Sequence, residues 1–196
     1  VGDPRFDAGE NEEGRALVYF GEYGRDCNDN GSEDGQDISS GSSLDLDGDG
    51  VPDECDCVAI DYCTSLANST GQAAQIGWEG SLSIATNGFH LRATQCPPGQ
   101  PGVFFYGGQQ NQVPFGNGFL CVAGGGAGLF RLNPPVFVDA SGVAQRQLDF
   151  RAPPADSGPG EITAGSTWFL QFWYRDPMGG GAFFDLSDGL AATFCP

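Results

Sequence analysis

Residues 166–174 read Ser166-Thr167-Trp168-Phe169-Leu170-Gln171-Phe172-Trp173-Tyr174. Successive side chains of a β-strand point to opposite faces, and in this run bulky residues fall on both. Such a segment suits a central strand covered on each side, and its aromatic residues read as core. Around it, apolar stretches recur between turn signals at 75–84, 89–93, 103–106, 119–122, 129–132, 136–138, 144–150, 182–186 and 190–194. With 32 Gly and 13 Pro among 196 residues, the connections are turn-rich and long helices are disfavoured. The reading is all-β: a jelly-roll-like two-sheet sandwich over 63–196, preceded by a loop segment at 25–62 and a detached N-terminal strand segment at 1–24.

Charge separates these parts. Of the net −18, residues 1–62 carry −15, from 18 Asp or Glu against three Arg. The chain has eight Arg, no Lys and no basic stripe, which excludes binding to nucleic-acid phosphates and disfavours anionic membranes. No run of eighteen apolar residues occurs, so no membrane insertion is expected. Neither a basic start nor an apolar signal core opens the sequence, so any export signal is expected to have been removed or to lie upstream.

The acidity is patterned. Residues 26–37 place Asp26, Asn28, Asn30, Asp34 and Asp37 at positions 1, 3, 5, 9 and 12, with Gly31 at position 6; residues 45–56 place Asp45, Asp47, Asp49, Asp53 and Asp56 at the same offsets, with Gly50 at position 6. Position 7, Ser32 or Val51, offers a main-chain carbonyl. A tightly curled loop converges such oxygens on one point, and a hard cation takes about six to eight of them. Two Ca²⁺ ions are expected.

These loops resemble the calcium loops of dockerins and of thrombospondin type 3 repeats, which also end in Asp at position 12. A dockerin puts a helix between its loops, and the intervening 38–44 is read as too short for one, so the resemblance to thrombospondin type 3 repeats is the better fit: metal and disulfide replace a hydrophobic core. The N-terminal VGDPRFDAGENEEGRALVYFG resembles the end of an FG-GAP repeat of integrin-like propellers. Its strand, Ala16-Leu17-Val18-Tyr19-Phe20, has apolar side chains on both faces and needs a partner: an upstream propeller, its own sheet, or the sheet of a neighbouring copy by head-to-tail strand addition. The sandwich region resembles uncharacterised C-terminal β domains of large secreted bacterial proteins. That resemblance rests on Asn68-Ser69-Thr70-Gly71-Gln72, Phe104-Phe105-Tyr106-Gly107, Val113-Pro114-Phe115-Gly116-Asn117-Gly118-Phe119, Gly165 to Trp168 with Gln171 to Pro177, and Phe194-Cys195-Pro196. It implies an extracellular setting and no known activity.

Seven cysteines in so loop-rich a chain point to disulfides and an oxidising compartment. Cys27 and Cys55 are positioned to bridge the two loops. Cys63, Cys96, Cys121 and Cys195 are expected to form two further bridges of open pairing, leaving Cys57 over. Asn68-Ser69-Thr70 is a possible glycosylation sequon.

Catalytic chemistry finds little support. His90 is the lone histidine, no Gly-x-Ser-x-Gly elbow occurs, and the chain is not expected to be an enzyme. Glu79, Glu161, Asp176, Asp185 and Asp188 are the carboxylates that a glycosidase reading would use. The expected function is that of an extracellular calcium-binding structural or adhesive protein, a homo-oligomeric fibre subunit assembled by strand donation. The alternative is a carbohydrate-binding module of a larger secreted protein. Among Trp78, Trp168, Trp173 and Tyr106, Trp78 is the one plausible sugar-stacking platform for it.

Overall fold

In a computed structural model of the chain, the described residues are 2–3 and 15–16 as main chain, then 26–28, 30–45, 50–52, 55 and 57–196. The elements in order are β1 (Gly2–Asp3), β2 (Arg15–Ala16), α1 (Asp34–Ser40), β3 (Val58–Tyr62), β4 (Gln75–Glu79), β5 (His90–Thr94), β6 (Pro101–Gly107), β7 (Gln109–Phe115), β8 (Gly118–Ala123), β9 (Leu129–Arg131), β10 (Val136–Phe137), β11 (Ala144–Gln147), β12 (Thr167–Arg175) and β13 (Phe184–Thr193).

The run at 166–174 supplies β12, the middle of an antiparallel sheet ordered β10-β6-β12-β13-β3, with β9 also on β6. A second sheet, β11-β5-β4, faces it. The protein is an all-β sandwich with unequal sheets, and a third layer, the hairpin β7-β8, lies on the outer side of the larger one. Because β12 alternates, it serves both layers. Trp168, Leu170, Phe172 and Tyr174 enter the main core with Ile76, Leu91, Phe104 and Leu190, while Phe169 and Trp173 join Phe105, Val122 and Leu186 beneath the hairpin. Ring contacts join residues across the main core: Phe104 to Phe172 at 4.4 Å, Tyr106 edge-on to Trp168 at 5.1 Å, and Phe89 edge-on to Phe194 at 5.2 Å.

Several elements depart from the sequence expectation for identifiable reasons. The stretches at 182–186 and 190–194 are one ten-residue strand, since the polar interval between them is a bulge: Ser187 and Asp188 fall where the register against β12 shifts. The strand β7 is Gln-rich and largely exposed, so it lacks the apolar signal that marks its neighbours. β3 lies within the segment assigned to the loops, and its pairing with β13 from Val58 opposite Thr193 to Tyr62 opposite Gly189 starts the sandwich at 58 instead of 63. The seven-residue α1 corrects the expectation that no helix fits between the two loops. It begins inside the first loop, with Asp34 and Asp37 in its first turn, and ends at Gly41 at φ 76°. At the N-terminus, β1 pairs with β2, Gly2 opposite Ala16; of the expected assembly strand, Leu17, Val18, Tyr19 and Phe20 lie outside the described residues.

The three layers are held together by polar groups at the bulge. Gln171, fully buried at the centre of β12, accepts the Cys121 N–H through Oε1 at 2.9 Å and donates Nε2 to the carbonyls of Phe119 at 2.9 Å and Ser187 at 2.7 Å. On the other side, Asp188 accepts the Ile76 N–H at 2.7 Å and donates its own N–H to the Ala74 carbonyl at 3.3 Å, tying β13 to β4 of the facing sheet. Gln171→Ala strands one donor and two acceptors, of which the Cys121 N–H and the Ser187 carbonyl are met in buried hydrogen bonds. It should lower stability by about 3 kcal/mol in urea unfolding at equilibrium.

Candidate functional site

In the first acidic loop, the side chains at the predicted positions turn inward. Asp26 at position 1 accepts the N–H groups of Asn30 at 3.0 Å and Gly31 at 2.8 Å, Asn28 accepts from Asn30 at 3.2 Å, and Asn30 Oδ1 accepts from Ser32 at 2.8 Å. The loop closes across its mouth, where Asn30 Nδ2 donates to Asp37 Oδ2 at 2.7 Å. Asp34 and Asp37 are buried and, among the described residues, accept hydrogen bonds from neutral donors, the Cys27 N–H at 2.8 Å and the Asn30 and Ser42 side chains.

The second loop repeats the defining contact: Asp45 Oδ2 accepts the Gly50 N–H at 3.1 Å, as Asp26 Oδ2 does that of Gly31. Both glycines take left-handed backbone, φ 88° at Gly31 and 89° at Gly50, which a Cβ would disfavour. Val51, at position 7 of this loop, is half-buried. Asp47, Asp49, Asp53 and Asp56 lie outside the described residues. An all-oxygen set of this kind could hold a hard cation such as calcium. Soft-metal binding is disfavoured here: Cys27, Asp34 and Cys55 come together, but the two sulfurs are bonded to each other, leaving no thiolate to ligate.

Three disulfides staple the chain, and one of them fixes this segment to the sandwich. Cys27–Cys55 joins the loops, Cys57–Cys195 ties the segment's end to the C-terminal end of β13, and Cys63–Cys121 ties the end of β3 to the hairpin. Cys57 is therefore not the leftover cysteine, and Cys96 is not bridged. The β3–β13 register explains this: with Val58 opposite Thr193, Cys57 comes opposite Phe194 and within reach of the next residue, Cys195, Cα atoms 5.4 Å apart. Cys96 is buried at the end of β5, donating to the Thr94 carbonyl, and desolvation pushes its thiol up to about 12. Closing 138 residues through Cys57–Cys195 removes chain entropy worth on the order of 5 kcal/mol from the unfolded state.

The sequon is also corrected. Asn68 is buried, its Nδ2 donates to the Gln95 carbonyl at 2.8 Å and the Tyr174 hydroxyl at 3.3 Å, and its Oδ1 accepts from Thr70 N–H and Oγ1. A nitrogen so engaged cannot carry a glycan in the folded chain.

Of the carboxylates considered for catalysis, Glu79 pairs with Arg92 at 3.6 Å, Glu161 is exposed, Asp188 laces the sheets, and Asp176 and Asp185 are buried beyond reach of a sugar ring. His90 is exposed, with Nδ1 3.0 Å from the Gly88 carbonyl. Trp168 and Tyr106 are core residues, and Trp173 packs on Phe184. Trp78 stacks on Phe89 at 5.8 Å, stays 37% exposed, and borders a cleft of about 190 Å³ with Asp61, Glu79 and Arg92. An apolar cleft of about 460 Å³, which sequence patterning did not reveal, opens where the hairpin meets the outer sheet face, among Phe105, Phe115, Leu120, Trp173 and Phe184, with Arg131 the charged residue of its lining. It arises from two elements distant in sequence, so no local signal marks it.

The chain matches no known family model, no characterised protein and no solved structure.

Desolvation raises the Asp188 carboxyl to about 6, against the opposing Ile76 hydrogen bond and with help from Asp61. The folded state therefore holds this proton more tightly than the unfolded one, so the contribution to stability is present below pH 4 and is lost as pH rises through 6. Asp188→Asn keeps the Ile76 acceptor without the charge, and the melting temperature should fall less between pH 4 and 7 than in the parent. Thiol titration should find no reactive cysteine in the native chain and one, Cys96, in denaturant without reductant.

Proposed function

We propose that the chain is an extracellular calcium-binding structural or adhesive protein, a subunit of a surface fibre in which the N-terminal strand of one copy adds to the sandwich of the next. The observation that carries this reading is the open edge of the larger sheet. Among the described residues β3 has one sheet neighbour, β13, and it carries Val58 and Ile60 at 48% and 58% exposure. An edge strand with exposed apolar side chains is a template for strand pairing, Asp61 being the one charged residue of β3. A donor with apolar side chains on both faces, such as Ala16 to Phe20, has the chemistry to cover it, and head-to-tail addition that does not close propagates a filament.

The acidic segment leads directly into this edge. Its repeated Asp-to-Gly contact and buried carboxylates support a calcium role, with Asp26, Asn28, Asn30, Ser32, Asp34 and Asp37 holding one ion and Asp45, Asp47, Asp49, Val51, Asp53 and Asp56 the second. Bound cations would offset the mutual repulsion of these carboxylates and stiffen the segment that presents the edge. Three disulfides require an oxidising compartment, which supports an extracellular location. Among the described residues no helix is long and apolar enough to cross a membrane. The burial of Asp176 and Asp185 supports a non-enzymatic role.

A carbohydrate-binding role is favoured by one observation, the half-exposed Trp78 beside a polar cleft. An array of extracellular glycans should give no signal that Trp78→Ala removes; a Trp78-dependent signal would establish the sugar reading.

Electron microscopy of native material should show filaments that dissociate on prolonged EDTA treatment, and Ile60→Lys at the edge or Tyr19→Asp in the donor should leave single particles. Isolated particles of single-chain size in the parent would overturn the assembly.

A further inference from the structure

Asp176 lies one residue beyond β12 and Asp185 is the second residue of β13, and they are 1% and 0% exposed. Each uses one oxygen on the main chain: Asp176 Oδ2 accepts the Ser69 N–H at 2.8 Å, and Asp185 Oδ1 accepts the Leu186 N–H at 2.7 Å. The other oxygens, Asp176 Oδ1 and Asp185 Oδ2, are buried with no hydrogen-bond partner. An added Cβ at Gly179 would meet both Asp176 Oδ2 and the Asn117 side chain, and one at the adjoining Gly118 would meet Asp185 Oδ1, so both carboxyls border the 117–118 turn, where the charge of Asp176 also raises Asp185. A buried carboxylate with an orphan oxygen costs several kcal/mol, and two in mutual repulsion cost more, unless something positive sits between them.

The surroundings are built to leave these two oxygens for something else. Main chain closes over the others: a Cβ at Gly118 would come within 2.2 Å of Asp185 Oδ1, and one at Gly179 within 2.4 Å of Asp176 Oδ2. The turn between β7 and β8 is pinned there by Asn117, which donates to the Gly180 carbonyl at 3.0 Å and accepts the Ala182 N–H at 2.9 Å. The donors that reach the carboxylates are neutral N–H groups, which do not balance two charges. The nearby thiol, Cys96, is protonated and engaged with the Thr94 carbonyl, so the available donors are oxygens.

We propose that Asp176 and Asp185 hold a hard divalent cation of the calcium class at the β12–β13 end of the sandwich, through the two oxygens that have no partner in the protein. This site is separate from the acidic loops and does not depend on their reading. Two carboxylates match the charge of one such ion, and its position would bind the β12–β13 connection, the hairpin turn and the loop at Asn68 into one unit.

The test uses the full-length chain with both loops disabled by Asp26→Ala and Asp45→Ala, prepared in calcium and dialysed into metal-free buffer. Elemental analysis should find one calcium per chain retained in this background and essentially none after adding either Asp176→Asn or Asp185→Asn. Added calcium should raise the melting temperature of the loop-disabled chain and leave that of the Asn variants unchanged. Absence of calcium from the loop-disabled chain would overturn the site, whatever the loops bind in the parent. So would unchanged calcium in both Asn variants. Should Asp185→Asn fail to fold, the metal content of the loop-disabled chain and of Asp176→Asn decides the question.

Discussion

The burial of Gln171 under the β7-β8 hairpin is the constraint from which most of the molecule follows. A polar amide at the centre of a central strand is tolerated only if all its hydrogen-bonding groups are met, and Gln171 meets them with the main chain of two other elements: Cys121 and Phe119 of β8, and Ser187 of β13. The Ser187 carbonyl lies at the bulge in β13, and the residue after it, Asp188, reaches the facing sheet. One irregularity in one strand therefore connects all three layers. Around it, Cys121 is held twice more, by its bridge to Cys63 and by the Tyr62 hydroxyl donating to its carbonyl at 2.6 Å.

This arrangement divides the labour of stability between two unlike regions. The sandwich has a conventional core of interlocked aromatic rings and aliphatic side chains. The described part of the acidic segment has almost none, and it is shaped by carboxylates and amides that accept main-chain N–H groups, by the short α1, and by the Cys27–Cys55 bridge. Where apolar burial is scarce, covalent and ionic constraints take its place. The Cys57–Cys195 bridge joins the two at the start of β3, so the orientation of the acidic segment and the availability of the β3 edge are set at the same point.

Buried polar groups cluster at one end of the sandwich. Asn68 spans the Gln95 carbonyl and the Tyr174 hydroxyl, Asp176 fixes Ser69, and Asp185 lies against the hairpin turn at Gly118. Burial pushes the Tyr174 hydroxyl and the Asp185 carboxyl upward from their ordinary values. An end built this way is sensitive to charge balance, whereas the aromatic middle is not.

Local chemistry was legible in the sequence because it needs only neighbours in the chain. The period-2 bulk of residues 166–174 fixed a central strand, the Gly and Pro content fixed the all-β class, and the offsets of Asp26, Gly31, Asp45 and Gly50 fixed two curled loops with the same contact. The Cys27–Cys55 bridge followed from loop positions alone. Features that depend on which strands lie side by side were decided by tertiary structure. The pairing of Cys57 with Cys195 and the isolation of Cys96 follow from the β3–β13 register, a choice between segments more than 120 residues apart that no local pattern encodes. The burial of Asn68 turned an apparent sequon into a structural amide, and Asp176 and Asp185 are buried where the chain around Gly118 and Gly179 closes over them. Sequence patterns report what a residue prefers within a few positions of itself; long-range pairing decides which of those residues leave water, and burial then sets their chemistry.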